Sequence, residues 1–288
     1  MAHRQLNLTV AVKDGMTIYI EDAASGLKCG CVCPACGEPL VAKKGKKMMH
    51  HFAHCTGNTC EYGYESSLHL AAKEILSHSK RITLPAAYVT FPNSNKKKEL
   101  VHGAREIQID RIELEKRLGD IIPDLVIYAG GEQFLVEIYV THRIDDEKLS
   151  KIIKADISTV EVDLSKKRGI TSVEELEKLL LGESQEKKWK YNTDSNHVLD
   201  SFYKAADKKD LFYLGRIACV AHCPMEYQTG LDQDYALVQD CHNCPYCLSC
   251  NYDHEILCLG KKKIVTVNDL ILSESECKKT ESMDLEIL

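Results

Sequence analysis

Between Ile121 and Asp145 the chain reads IIPDLVIYAGGEQFLVEIYVTHRID, two apolar runs around the turn Ala129-Gly130-Gly131-Glu132. Runs of this length bounded by turn residues predict two buried β-strands. Each is interrupted once by an acid, Asp124 in the first and Glu137 in the second. A carboxylate within a buried strand is costly unless something neutralises it, so such a pair on adjacent antiparallel strands points to a shared divalent cation. Two acids on a solvent-facing sheet edge is the plainer reading of the same pattern.

The flanking pattern fills in a mixed α/β chain. Residues 6–20 alternate apolar and polar around Asp14-Gly15, a hairpin signal. Leu68, Ala71, Ala72, Ile75 and Leu76 recur at helical spacing and predict a helix over Ser66–His78. Glu65, His69 and Lys73, four residues apart, form one stripe along it. Strands are expected at Ala86–Phe91 and Arg105–Ile109, with Ile112–Leu118 a short charged segment. After Val140, Asp145 or Asp146 caps a helix carrying Leu149, Ile152 and Ile153. Ile157–Leu164 then reads as a strand and Thr171–Leu181 as a helix with a Ser172–Glu175 capping box. Gly182–Lys190 is polar enough to be a linker, and residues 191–215 are weakly helical.

Composition changes this picture at one point, the cysteines. There are fourteen, six between Cys29 and Cys60 and eight between Cys219 and Cys277, with none in the middle. In a reducing compartment such clustering favours metal over disulfides. The expected organisation is therefore a hairpin and zinc-binding module over 1–62, a central core over 63–182, and a linker with a cysteine-rich metal-binding module over 183–288. No apolar run reaches membrane-spanning length and the first residues lack the apolar core of a secretory signal, so a cytoplasmic protein with no membrane partner is expected. A net charge of −6 does not suggest a protein that coats DNA, although lysine-rich spots such as Lys43–Lys47 and Lys187–Lys190 suit a rim around a phosphodiester.

In the first cysteine group, Cys33-Pro34-Ala35-Cys36-Gly37 is followed by His51-Phe52-Ala53-His54. Two thiolates and two imidazoles so spaced close a tetrahedral structural zinc site, with Cys33, Cys36, His51 and His54 as the expected ligands and Cys29, Cys31, Cys55, Cys60 and His50 close enough to substitute. In the second group Cys241, Cys244, Cys247 and Cys250 stand three positions apart. Consecutive knuckles send alternate sulfurs to one ion, so partners are expected from Cys219, Cys223 and Cys258. Zinc is the expected metal, and an iron–sulfur cluster is the alternative because Cys-x2-Cys-x2-Cys is also a ferredoxin-like spacing.

The succession Cys-Pro-x-Cys-Gly, His-Phe-Ala-His, Glu65-x3-His69-x3-Lys73, Pro123-Asp124 and Glu137-x-x-Val-Thr-His142 resembles the competence protein CoiA-like family of the PD-(D/E)xK nuclease superfamily, over roughly residues 5–165. The resemblance implies a restriction-endonuclease-like α/β core and a Mg²⁺- or Mn²⁺-dependent nuclease acting on DNA, in uptake, recombination or defence against foreign DNA. It implies that Asp124 and Glu137 bind the ion, helped by Glu65 and the Ile138 carbonyl. The superfamily's lysine position holds Tyr139, which cannot supply the positive charge; Lys148, or failing it Lys73, is expected to stand in, and His142 either contacts the metal, a water or the scissile phosphate or is packed and satisfied by neighbouring backbone. Tyr139 also keeps a second function in view, a catalytically inactive nuclease-fold subunit that binds nucleic acid or assembles with a protein partner or a second copy of the chain.

Overall fold

The computed structural model describes residues 8–47, 49–57, 60, 63–91, 98–141, 143–165, 173–225, 235–251 and 255–273. They divide into two compact units, the first made of residues 1–85 and 104–192 and the second of 86–103 and 193–288.

The first unit opens with the expected hairpin, β1 (Val10–Lys13) and β2 (Met16–Tyr19), with Lys13 opposite Met16. Its two-residue loop places Asp14 at φ 51° and Gly15 at φ 79°, the left-handed pair that suits the twist of a tight hairpin. A second hairpin, β3 (Leu40–Lys43) and β4 (His51–His54), follows, then helix α1 (Gly63–His78) and β5 (Arg81–Leu84). At this point the chain contributes the hairpin β6 (Ala87–Val89) and β7 (Glu99–His102) to the second unit, and it returns with β8 (Arg105–Gln108) paired to β5.

The core of the first unit is a five-stranded sheet. It contains β9 (Arg111–Leu114), β10 (Leu125–Ala129), β11 (Glu132–Tyr139), β12 (Thr159–Asp163) and β13 (Lys187–Tyr191), in the spatial order β13-β12-β11-β10-β9. Helix α2 (Asp146–Ala155) makes the crossover between the parallel strands β11 and β12, and α3 (Val173–Leu181) precedes β13. Strand alternation sorts the two faces. Leu125, Ile127, Val136, Ile138, Val160 and Val162 pack with α1 and α3, whereas Val126 and Leu135 pack with Ile152 of α2.

Two expectations are corrected here. The supposed charged segment 112–118 begins with the last three residues of β9, an edge strand that packs Ile112 on the core. The supposed linker 182–190 contains most of β13, so the boundary expected at 182/183 lies after Asn192, and residues 86–103 leave the central core altogether. β13 is polar on one face and carries a buried lysine on the other, which hides its period of two. Ser172, the expected cap, lies outside the described residues, and Glu175 stands in the first turn of α3.

The second unit combines α4 (Thr193–Ala205) with β14 (Asp207–Lys209), β15 (Leu211–Leu214), β16 (Ile217–Ala221), β17 (Tyr235–Leu237), α5 (Val238–Asn243), β18 (Cys247–Asn251) and β19 (Glu255–Cys258). Its strands form two three-stranded sheets, β14-β19-β18 and β15-β16-β17, beside the β6-β7 pair. The weakly helical reading of 191–215 holds for α4 and gives way to strands after it. Val89 and Phe91 pack with Phe202, Leu248, Leu259 and Ile264.

Candidate functional site

The β3-β4 register sets Leu40 opposite His54 and Lys43 opposite His51. Alternation along β4 turns Phe52 and His54 to the buried face and His51 and Ala53 to the other. One ligand atom from each of Cys33, Cys36, His54 and Cys60 lies within 4.8 Å of the others, and the four form a possible metal-binding site compatible with zinc. Cys36 Sγ stands 3.3 Å from His54 Nε2. The knuckle is closed by the Gly37 N–H donating to Cys33 O at 2.9 Å, with Gly37 at φ 72°, and by the Cys33 N–H donating to Glu38 O at 2.9 Å. Burial pushes the Cys33 thiol up to about 11, whereas the hydrogen bond from the Glu38 backbone holds Cys36 below the usual thiol range.

The expected ligand His51 is therefore replaced by Cys60. Positions 51 and 54 are an odd number of residues apart in a strand, so they face opposite sides, and His51 Nδ1 instead lies 2.9 Å from Met49 O. Cys29 and Cys31 are buried in the surrounding small core.

The second assembly is an open cleft of about 230 Å³ whose lining includes Glu65, His69, Asp124, Glu137, Lys148 and Glu161. Asp124 lies one residue before β10 and is met from α1, with His69 Nε2 at 3.2 Å and Lys73 Nζ at 2.9 Å. The Ile138 N–H donates to Asp124 Oδ2 at 2.8 Å. Burial raises the Asp124 pKa, but His69, the Ile138 amide and Lys73 outweigh it and bring the carboxyl down to about 2. Glu137 sits inside β11 on the face shared with Leu135, toward α2. Lys148, in the first turn of α2, places Nζ 2.7 Å from Glu137 Oε1. Burial dominates at Glu137 and pushes it up to about 7 against the pull of Lys148, with the Asp124 charge adding to the rise.

Glu65 reaches the cleft lining from α1, whereas Glu137 reaches it from β11. Among the described residues no second group of three ligating side chains closes to within 4.8 Å. The Ile138 carbonyl is engaged by His69 Nε2 at 2.8 Å. Tyr139 and Arg143 both line the cleft, with the guanidinium 4.8 Å from the ring centre, and Arg143 Nη2 is 3.5 Å from Asp163. His142 lies outside the described residues.

One acid escaped the sequence reading. Glu161 is directly opposite Glu137 in the parallel β11-β12 register, is buried, and has its own lysine, Lys190 Nζ at 3.2 Å. The signal was available, because Glu161 interrupts a buried strand as Glu137 does, in ISTVEVDL.

In the second unit, Cys223, Cys241, Cys244, Cys247 and Cys258 line one small cavity. Of the expected ligands, Cys219 and Cys250 are not part of that lining. Cys219 alternates with Val220, which is the residue of β16 facing the cavity, and the Cys250 thiol is directed at Val238 O at 3.9 Å.

Residues 22–63 match the family described as Competence protein CoiA, N-terminal domain. The matched stretch contains all four members of the Cys33, Cys36, His54 and Cys60 group and supports the CoiA family. It ends where α1 begins, so the cleft lies beyond it. No curated protein and no solved structure matches the chain. Among the described residues no helix is long and apolar enough to cross a membrane.

Proposed function

We propose that this chain is a metal-dependent nuclease that hydrolyses phosphodiester bonds in DNA, on a core of the PD-(D/E)xK type. The family match suggests involvement in competence, and DNA uptake, recombination or defence against foreign DNA is the setting that suits a nuclease there. The observation that carries the proposal is the convergence of Asp124 and Glu137, from adjacent antiparallel strands, on one open cleft that also receives lysines.

The donors suit a hard cation. Two carboxylates on one cleft favour Mg²⁺ or Mn²⁺ over a thiophilic metal, and a buried Glu137 held near neutrality is a group that a cation would ionise. Asp124 and Glu137 would hold the ion, with Glu65 or Glu161 as the further acid in the lining. A bound Mg²⁺ supplies polarisation of the phosphoryl group and a lowered water pKa. His69, Lys73 and the Ile138 amide fix the Asp124 carboxylate in one orientation, and Lys148 brings to the cleft the positive charge that Tyr139 lacks. Arg143 offers a fork-shaped donor to a backbone phosphate.

Plasmid cleavage with Mg²⁺ or Mn²⁺ tests this reading. Asp124→Ala and Glu137→Ala are expected each to lower the rate by about 10²-fold or more. Equal nicking by wild type and both variants would remove the nuclease reading. No nicking by any of them, together with retained DNA binding, would favour the second reading, an inactive nuclease-fold subunit, for which Tyr139 in the lysine position is the supporting observation.

A further inference from the structure

We propose that Cys223, Cys244, Cys247 and Cys258 form a second metal centre, a single zinc ion held by four thiolates within the C-terminal unit. The centre is independent of the nuclease reading.

Four features of the fold bring these sulfurs together. Cys244 and Cys247 flank Pro245-Tyr246 in a knuckle whose turn is closed by the Cys247 N–H donating to Cys244 O at 3.1 Å. Cys258 is the direct cross-strand partner of Cys247 in the antiparallel β18-β19 pair, so the two side chains leave the same face of the hairpin. Cys223 lines the same cavity and, with Cys244, is a charge neighbour of Cys258. Gly260 seals the assembly: its N–H donates to Cys258 Sγ at 3.4 Å, and a Cβ there would stand 2.8 Å from Pro224 Cγ and 3.3 Å from Cys258 Sγ. Cys241 lines the cavity as a fifth thiol; Cys223 is placed in the set because Pro224, its chain neighbour, packs on Gly260 beside the Cys258 sulfur.

The packing calls for a staple. Among the described residues, Cys241, Cys244, Cys247 and Cys250 pack with Val220, Val238 and Ile256 in the buried cluster around the cavity, with Leu211, Ala218, Met225 and Tyr246 partly buried against it. A core in which four of seven buried side chains are thiols gains less from burial alone, and metal binding is the usual remedy in small modules. Lys209 lines the same cavity and offsets part of the negative charge of four thiolates.

The room at the centre of the cavity is about 10 Å³, close to what a single water needs, and so admits one ion. Among the described residues no three of these sulfurs lie within 4.8 Å of one another, so they stand wider than the N-terminal set. Zinc–sulfur bonds of about 2.3 Å in a tetrahedron draw sulfurs to about 3.8 Å, so binding tightens the module.

Metal analysis of the full-length protein, purified under reducing conditions without chelator, is expected to give two zinc ions per chain. Cys244→Ser/Cys247→Ser is expected to retain one, and Cys219→Ser or Cys250→Ser to retain two. One zinc in the wild type, two in the double variant, or iron with a visible absorption band would each overturn the proposal. Because the double variant can fail to fold, the metal-stripped wild type is also titrated with Co²⁺. Sulfur-to-cobalt charge transfer should saturate at two equivalents, and saturation at one would overturn it equally.

Discussion

Lys187 is a lysine buried in the edge of the core sheet, where its ammonium donates to Thr83 O at 2.6 Å and Leu180 O at 3.1 Å. Burial brings its pKa down to about 8. A base whose folded pKa lies below its unfolded one binds fewer protons folded than unfolded between the two values, so stability rises with pH across about 8 to 10.5. Urea unfolding of wild type and Lys187→Met over that range should therefore diverge, the wild type gaining up to about 3 kcal/mol relative to the variant. Parallel curves would show that the ammonium is not desolvated. At the cleft, the displaced-charge reading of Lys148 has its own residue-level test. Lys148→Ala should slow DNA cleavage, and adding Tyr139→Lys should recover about tenfold of the loss by restoring a cation two residues after Glu137. Full activity in Lys148→Ala would exclude that lysine.

Among the elements, β4 illustrates how a motif can be legible while its ligands are not. His-Phe-Ala-His was visible as a metal-binding pattern, but strand alternation lets only one of its imidazoles face the knuckle. Zinc content should thus be lost at the N-terminal site in Cys60→Ser and kept in His51→Ala; the reverse pattern would restore the original ligand set. Gly63, the first residue of α1, shows why Cys60 was available. A Cβ there would stand 3.4 Å from Cys33 Sγ and 3.5 Å from Cys60 Cβ, so the helix starts against the centre. β10 and β11 were legible because an apolar run forms the body of each, with Asp124 just ahead of β10 and Glu137 within β11. β13 was not, since its inward positions are Lys187 and Trp189 and the lysine breaks the apolar pattern.

Over the whole molecule, the two units use the chain discontinuously. The hairpin of β6 and β7 belongs with residues beyond 193, and Phe91 meets Phe202 edge-on with ring centres 5.0 Å apart. Phe91→Ala is expected to destabilise the second unit by about 3–5 kcal/mol. Trp189, the single tryptophan, lies in the first unit with its indole N–H donating to Pro85 O at 2.9 Å, so its fluorescence follows that unit alone. The Trp189 transition should keep its midpoint in Phe91→Ala while far-ultraviolet circular dichroism reports an earlier loss; a matching shift in both would contradict separate cores. Hydrophobic periodicity and residue chemistry along the chain were enough to establish a mixed α/β protein, its central pair of acid-bearing strands, the cysteine–histidine knuckle and two metal-prone ends, because these are local properties of spacing. Cys60 in place of His51, Glu161 beside Glu137, Cys258 opposite Cys247 and the transfer of residues 86–103 to the other unit depended on strand register and long-range packing, which join residues that no local period connects.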